Sequence, residues 1–274
     1  MNLTKVIDDE YETVSSKIVE TIKSKNLDIE PVLRGYECWL KHAQDNFSRK
    51  GYFQKANEAL TIEIGFRTSR RQMPQIKDRC FKKEDLITGE HITAFSLSLQ
   101  NYEDSHSFTE TGTFLSAFVR YVREPHPLDI LEYQTEPIYK IITTHLNKPL
   151  NYIGDCNRLA HIEVIGSVGK YLGQSMSSGK ITILGNAEES VGQLMKGGEI
   201  CVENAGNSLG IQMKGGKITA KNAGKNVGRW LEGGEIHITQ SYISLYADAP
   251  EDRENISDGK IFYRGKQIFP EEKT

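Results

Sequence analysis

Apolar positions along this chain follow two periods, and the change between them falls near residue 145. In the first half they recur every three or four residues. Val6, Ile7, Tyr11, Val14, Ile18, Val19 and Ile22 form the stripe of an amphipathic helix. Pro31 suits the first turn of a second helix, with Asp28 or Glu30 near its start, and that helix is expected to run to about Phe47. A third is expected from about Tyr52, carrying Phe53, Ala56, Ala59, Leu60 and Ile64, and the three pack as a small bundle. Ala94-Phe95-Ser96-Leu97-Ser98-Leu99 then alternates like a strand. Thr113 caps a helix through Phe114, Leu115, Phe118, Tyr121 and Val122, halted by Pro125 and Pro127. Residues 124–150 read as a Pro-punctuated connector whose far end covers the next module.

From about residue 150 the period becomes two, nested in a longer repeat of 18 or 19 residues. Four copies are clean: His161–Gly179, Lys180–Gly198, Glu199–Gly216 and Lys217–Gly234. Each holds a Gly (Gly173, Gly192, Gly210, Gly228), then an apolar residue three positions on (Met176, Met195, Met213, Leu231). A closing Gly follows (Gly179, Gly198, Gly216, Gly234), then a charged residue and Ile in the next copy (Ile181, Ile200, Ile218, Ile236). Alternation such as Ile181-Thr182-Ile183 is a strand with one buried face. Repeated at fixed period, it stacks each Ile on the one below at about 4.8 Å. The predicted product is a parallel β-helix, right-handed by the general crossover rule.

Two rows test that register. The residue before each Ile runs His161, Lys180, Glu199, Lys217, Glu235, Lys260, alternating in sign from Lys180 onward. Opposite charges facing across strands contribute about 0.2–1 kcal/mol each. Asn186, Asn204 and Asn222, with Ser167 at the equivalent place, form either an amide ladder or a set of turn residues. The repeat frays at both ends. Tyr152-Ile153-Gly154 matches Tyr171-Leu172-Gly173, so a degenerate opening coil is expected from near residue 145. The step from Ile236 to Ile261 carries a bulge over 249–255, after which Gly259–Tyr263 forms a last strand and Pro270 stops the stack.

The run GGEICVENAGNSLGIQMKGGKITAKNAGKNVGRWLEGGEIHI resembles the GXGXG β-helix domain. That domain forms the C-terminal part of the glutamate synthase large subunit and most of the C subunit of formylmethanofuran dehydrogenase. The resemblance covers roughly residues 150–265 and implies the fold. In glutamate synthases the domain is a structural spacer, so the resemblance brings no catalytic residue with it. Residues 1–150 look like neither the amidotransferase and flavin-binding parts of glutamate synthase nor a molybdopterin or iron–sulfur subunit.

Charge adds little that is positive. The net −3 is shared, with 20 basic against 22 acidic residues in 1–150 and 14 against 15 in 151–274. Neither half has the balance of a nucleic-acid arm or membrane-binding surface. No stretch has the length of a membrane span, and the acidic N-terminus has no apolar signal core. Cys38, Cys80, Cys156 and Cys201 are scattered, which fits reduced cytoplasmic thiols rather than a disulfide framework.

Candidate chemistry is sparse. Arg67, Arg70, Arg71, Lys77, Arg79, Lys82 and Lys83, near Phe66 and Phe81, form the dense basic tract. It reads first as a solvated helix face with a following loop and second as an anion or nucleic-acid site. The stretch 103–110 gathers Asp104, His106 and Glu110, a set that can hold a hard cation or work as an acid–base pair but lacks a known ligand spacing. A polar, helix-capping loop explains it as well. Gly166-Ser-Val-Gly169-Lys170 is similar to a phosphate loop but lacks its spacer, and the repeat accounts for its glycines. The methionine row reads as core filler. Cys201 and His237 face outward two coils apart, too far to share a metal.

The expected molecule is therefore α+β: a mainly helical module over 1–145 and a GXGXG-type parallel β-helix over 146–274. Its expected role is a non-catalytic, cytoplasmic scaffold for a protein partner, with no cofactor, no metal, no membrane contact and no nucleic acid. The alternatives are an accessory subunit of a redox complex, as the resemblance implies, and an anion-binding N-terminal module.

Overall fold

The structure, a computed structural model, describes residues 17–18, 20–48, 87–99, 108–123, 138–246 and 258–270. Strands β1 (Ile138–Ile142), β2 (His161–Ile165), β3 (Lys180–Ala187), β4 (Glu199–Ala205), β5 (Lys214–Ala223), β6 (Gly233–Tyr242) and β7 (Lys260–Tyr263) lie side by side in chain order. All six of their pairings are parallel. Ile162, Ile181, Ile200, Ile218, Ile236 and Ile261 stack in register and are all buried. The chain is thus an α+β molecule with a C-terminal parallel β-solenoid. Its sheet begins at Ile138, eight residues before the expected boundary at 146.

Each coil closes through the same turn. Met176, Met195, Met213 and Leu231 each donate a backbone N–H to the glycine carbonyl three residues earlier, at 3.1–3.2 Å. All four side chains are fully buried, with Met195 and Met213 one coil apart. Glycine is required here for two separate reasons. A Cβ on Gly192 would stand 2.4 Å from Cδ1 of Ile218, so the stacked isoleucines occupy its place. At Gly198, with φ at 88°, a Cβ would meet the Gly179 carbonyl oxygen at 2.7 Å.

The turn also forces non-glycine residues into the left-handed region. Tyr171, Ser175, Ser190 and Leu194 have φ of 64°, 52°, 64° and 56°. Such conformations cost roughly 1–3 kcal/mol each and persist only when surroundings over-determine them. Here the inter-coil ladder does so: Ser190 N–H reaches the Asn207 carbonyl at 2.9 Å and Leu194 N–H the Ile211 carbonyl at 3.0 Å.

Among the described residues, helices α1 (Glu30–Ser48), α2 (Gly89–Ser98) and α3 (Phe108–Arg123) precede the solenoid. Helix α1 has Pro31 in its first turn, as its sequence predicts. Helix α3 starts five residues before Thr113 and ends ahead of Pro125. The alternation at 94–99 does not make a strand: it lies within α2 and the turn that ends it. Residues His91 to Ser96 are all buried, so no solvated face was there to mark the helical period. Helix α2 is wedged between β1 and an aromatic cluster in which Phe95 meets Tyr36, Phe114 and Phe118 at ring distances of 5.1, 5.3 and 6.4 Å. Of the first predicted helix, residues 17–18 and 20–22 are described and helical; the helix from Tyr52 and the bulge at 249–255 lie outside the described residues.

Buried apolar side chains form one continuous cluster from Tyr36 and Phe95 to Ile261. At the far end the chain turns back: β8 (Lys266–Phe269) pairs antiparallel with β7. That last hairpin is not written in the repeat. Lys266 and Pro270 at its ends are the residues that blunt a sheet edge.

Candidate functional site

A β-solenoid has two problem surfaces, its open ends, and one natural working surface, its flat side. At the N-terminal end no coil among the described residues precedes the first to bond its backbone, and side chains from the helices take that role. Thr93 Oγ1 donates to the Lys140 carbonyl at 2.9 Å, and the Ile142 N–H donates to Ser96 Oγ at 3.0 Å. Ser116 Oγ donates to the Tyr152 carbonyl at 2.7 Å and accepts the Gly154 N–H at 2.9 Å. Arg120 Nη1 donates to the Asp155 carbonyl at 2.6 Å. In later coils the groups equivalent to Gly154 N–H and the Asp155 carbonyl bond the preceding coil, as Gly173 N–H does with Ile153 and the Gln174 carbonyl with Cys156. Helices α2 and α3 therefore stand in for a missing coil. Sequence reading missed Thr93, Ser96, Ser116 and Arg120 because a lone Ser or Thr in a helix carries no signal of what it faces.

On the outward face of β3–β6 the charged row is in register, Lys180 beside Glu199, Glu199 beside Lys217, Lys217 beside Glu235, and Glu235 beside Lys260. Lys180 and Glu199 close to 3.7 Å. A second pair, Lys221 with Glu203 at 2.5 Å, lies further along the strands. Between these rows run Thr182, Cys201 and Thr219, short side chains and half-buried. The face is thus a shallow uncharged trough between a row of alternating charges on one side and the Lys221–Glu203 pair on the other.

The trough ends at His237, whose ring lies flat on Phe262 at 4.4 Å, with Nε2 2.9 Å from Glu235 Oε2. The hydrogen bond from His237 holds the Glu235 carboxyl below its ordinary value, with lesser help from Lys217 and Lys260. Cys201 and His237 share the row with Thr219 between them, the two-coil separation expected.

The asparagine row is a ladder. Asn204 Nδ2 donates to Asn186 Oδ1 at 2.6 Å, Asn222 Nδ2 to Asn204 Oδ1 at 2.7 Å, and Ser241 Oγ to Asn222 Oδ1 at 2.6 Å. In the phosphate-loop likeness the amides of Gly166, Val168, Gly169 and Lys170 are already engaged. Gly166, Val168 and Gly169 donate to carbonyls of neighbouring coils, and the Lys170 N–H donates to Asn151 Oδ1 at 2.8 Å. The Lys170 ammonium pairs with Glu189 at 2.9 Å, which raises its pKa.

Arg67, Arg70, Arg71, Lys77, Arg79, Lys82 and Lys83 lie outside the described residues, as do Asp104 and His106; Glu110 falls in the first turn of α3. Among the described residues, no three His, Cys, Asp or Glu side chains gather as a metal site. No described helix is long and apolar enough to cross a membrane, and Cys38, Cys156 and Cys201 are not joined in disulfides. A cleft of about 680 Å³ opens beside the cap, with Ile18, Ile22, Ile87, Val122, Ile138 and Tyr139 in its wall.

No family model matches the chain, and neither a curated protein nor a solved structure was found to match it.

Proposed function

We propose that this chain is a non-catalytic scaffold whose outward sheet face seats a protein partner. One observation carries the reading: the trough of Thr182, Cys201 and Thr219 between the row of alternating charges and the Lys221–Glu203 pair. Flat surfaces of this kind suit a partner's surface rather than a small ligand, which needs an enclosing pocket. Lys180 with Glu199 and Lys221 with Glu203 are already paired along the stack, so covering them strands no unpaired ion there. The stack also holds the face rigid, so little ordering cost falls on binding.

The rows of glycine, methionine and isoleucine support a GXGXG-type domain, in the register its repeat predicts. That likeness raises a second form of the same reading, an accessory subunit whose catalytic chemistry lies in partner chains. Cysteines outside disulfides, Cys38, Cys156 and Cys201, fit a cytoplasmic setting.

The test is purification of the tagged chain from its native host, comparing wild type with Thr182→Arg/Thr219→Arg and with a control on the turn side, Lys196→Glu. A partner in fixed ratio with wild type and Lys196→Glu, absent with the double variant at unchanged melting temperature, is the expected result. Molybdenum or tungsten enzyme subunits in that ratio would favour the redox-complex form. A solitary wild-type chain, or a partner retained by the double variant, would overturn the proposal.

A further inference from the structure

The cleft beside the cap is walled by four separate stretches: the helical residues before α1, the start of α2, Val122 in α3, and residues 138–140 of β1. Tyr139 is buried, but Ile18, Ile22, Ile87 and Val122 are only half-buried and Ile138 is 50 % exposed. Apolar side chains that could cover one another are instead turned to a shared space of about 680 Å³. That volume lies within the roughly 300–1,000 Å³ of small-molecule clefts, and walls on several sides suit one ligand better than a partner's flat surface.

The polar groups around this space are mostly engaged within the protein. Thr21 Oγ1 donates to the Lys17 carbonyl at 2.8 Å and Thr93 Oγ1 to the Lys140 carbonyl at 2.9 Å. The Thr88 hydroxyl lies 3.0 Å from His91 Nδ1. Glu90, the acid in the wall, is paired with Lys25. Two cations are left. Lys17 has no ion pair among the described residues, and Lys140 stands 3.9 Å from Glu163, at the outer limit of one. Lys17 is exposed and Lys140 partly exposed, as suits groups at the mouth of a cleft rather than its floor.

We infer that this cleft binds a fatty carboxylate, its alkyl chain against the isoleucines and Val122 and its head group on Lys17 and Lys140. The chain follows from the wall, which offers no directional partner and rewards apolar surface of any shape. The head group follows from the charge. With Glu90 already answered by Lys25, the two ammonium groups favour an anion and disfavour an amine. None of these residues belongs to the trough of Thr182, Cys201 and Thr219.

The test is titration calorimetry of the full chain with sodium laurate below its micelle concentration. Octanoate, decanoate, myristate, dodecanol and dodecyltrimethylammonium serve as comparisons. A single laurate should bind per chain, and affinity should rise about fourfold for each added CH2 until the cleft is full. Dodecyltrimethylammonium should bind far more weakly. Lys17→Gln/Lys140→Gln should weaken laurate about tenfold or more and leave dodecanol unchanged, with the melting temperature held. Ile138→Asp, at a half-exposed position, should weaken both. No laurate binding by wild type, equal binding of the cationic amphiphile, or a laurate affinity unmoved by these variants would overturn the proposal. Two further results would reassign the wall. Without laurate binding, a wild-type dimer that Ile138→Asp makes monomeric would give it to a second copy, and recruitment to anionic phospholipid vesicles would give it to a membrane surface.

Discussion

The stacked coils and the helical cap cover each other, yet they are stabilised in opposite ways. In the coils one position does one job repeatedly: Ile200, Ile218 and Ile236 fill the same place, and Asn186, Asn204 and Asn222 pass the same hydrogen bond upward. In the cap every contact is unique. Ser96, Ser116 and Arg120 each satisfy a different backbone group of a single coil. The coils are thus redundant along their length, while the cap is held by a few bonds that nothing duplicates.

The sharpest way to break this contrast is in the shared core. Ile218→Ala removes a fully buried side chain stacked between Ile200 and Ile236. It should cost about 2–5 kcal/mol in denaturant unfolding and loosen β4 and β6 together. A loss confined to β5 would show that the coils are less coupled than their register implies.

Ser116→Ala acts on the cap alone. It leaves the Gly154 N–H and one bond of the Tyr152 carbonyl unmet, a loss of about 1–3 kcal/mol. Hydrogen exchange should rise in coil one and hardly change beyond β3; equal loosening everywhere would erase the proposed difference between regions.

Asn204→Ala breaks two rungs of the ladder at an exposed site, for about 1 kcal/mol or less. Asn186→Ala at the end of the row should cost less, since it removes one rung rather than two. Comparable losses would mean that the ladder is ornament rather than support.

The smallest effect is electrostatic. Because His237 holds the Glu235 carboxyl below its ordinary value of 4.5, that group adds stability above this pH and loses it as pH falls through the lower folded value. The stability difference between wild type and Glu235→Gln should therefore shrink on acidification below that point. A difference that stayed constant to pH 2.5 would show that the pair does not couple to folding.

Repetition made most of the solenoid legible. The isoleucine row, the sign alternation from Lys180 to Lys260 and the asparagine row each predicted a register on their own, and all three agree with the strand pairing. The cap was legible only in part. The helix behind Pro31 has ordinary starting chemistry. Helix α2 does not, because Ser96 and Thr93 point at a sheet edge rather than at water, and a polar residue in an apolar run then mimics alternation. Residues Thr182 and Cys201 became a trough only once the alternating charged row on one side and the Lys221–Glu203 pair on the other were in place.

By itself the sequence determined the local period, the register of identical coils and the positions where only glycine fits, because those depend on neighbours one repeat away. Tertiary structure alone decided which hydroxyls close the first coil, which non-glycine residues take left-handed turns, and that the last strand folds back as β8. Those outcomes hang on single encounters between distant segments, where the backbone left unbonded by one part of the chain selects whichever side chain another part brings within reach.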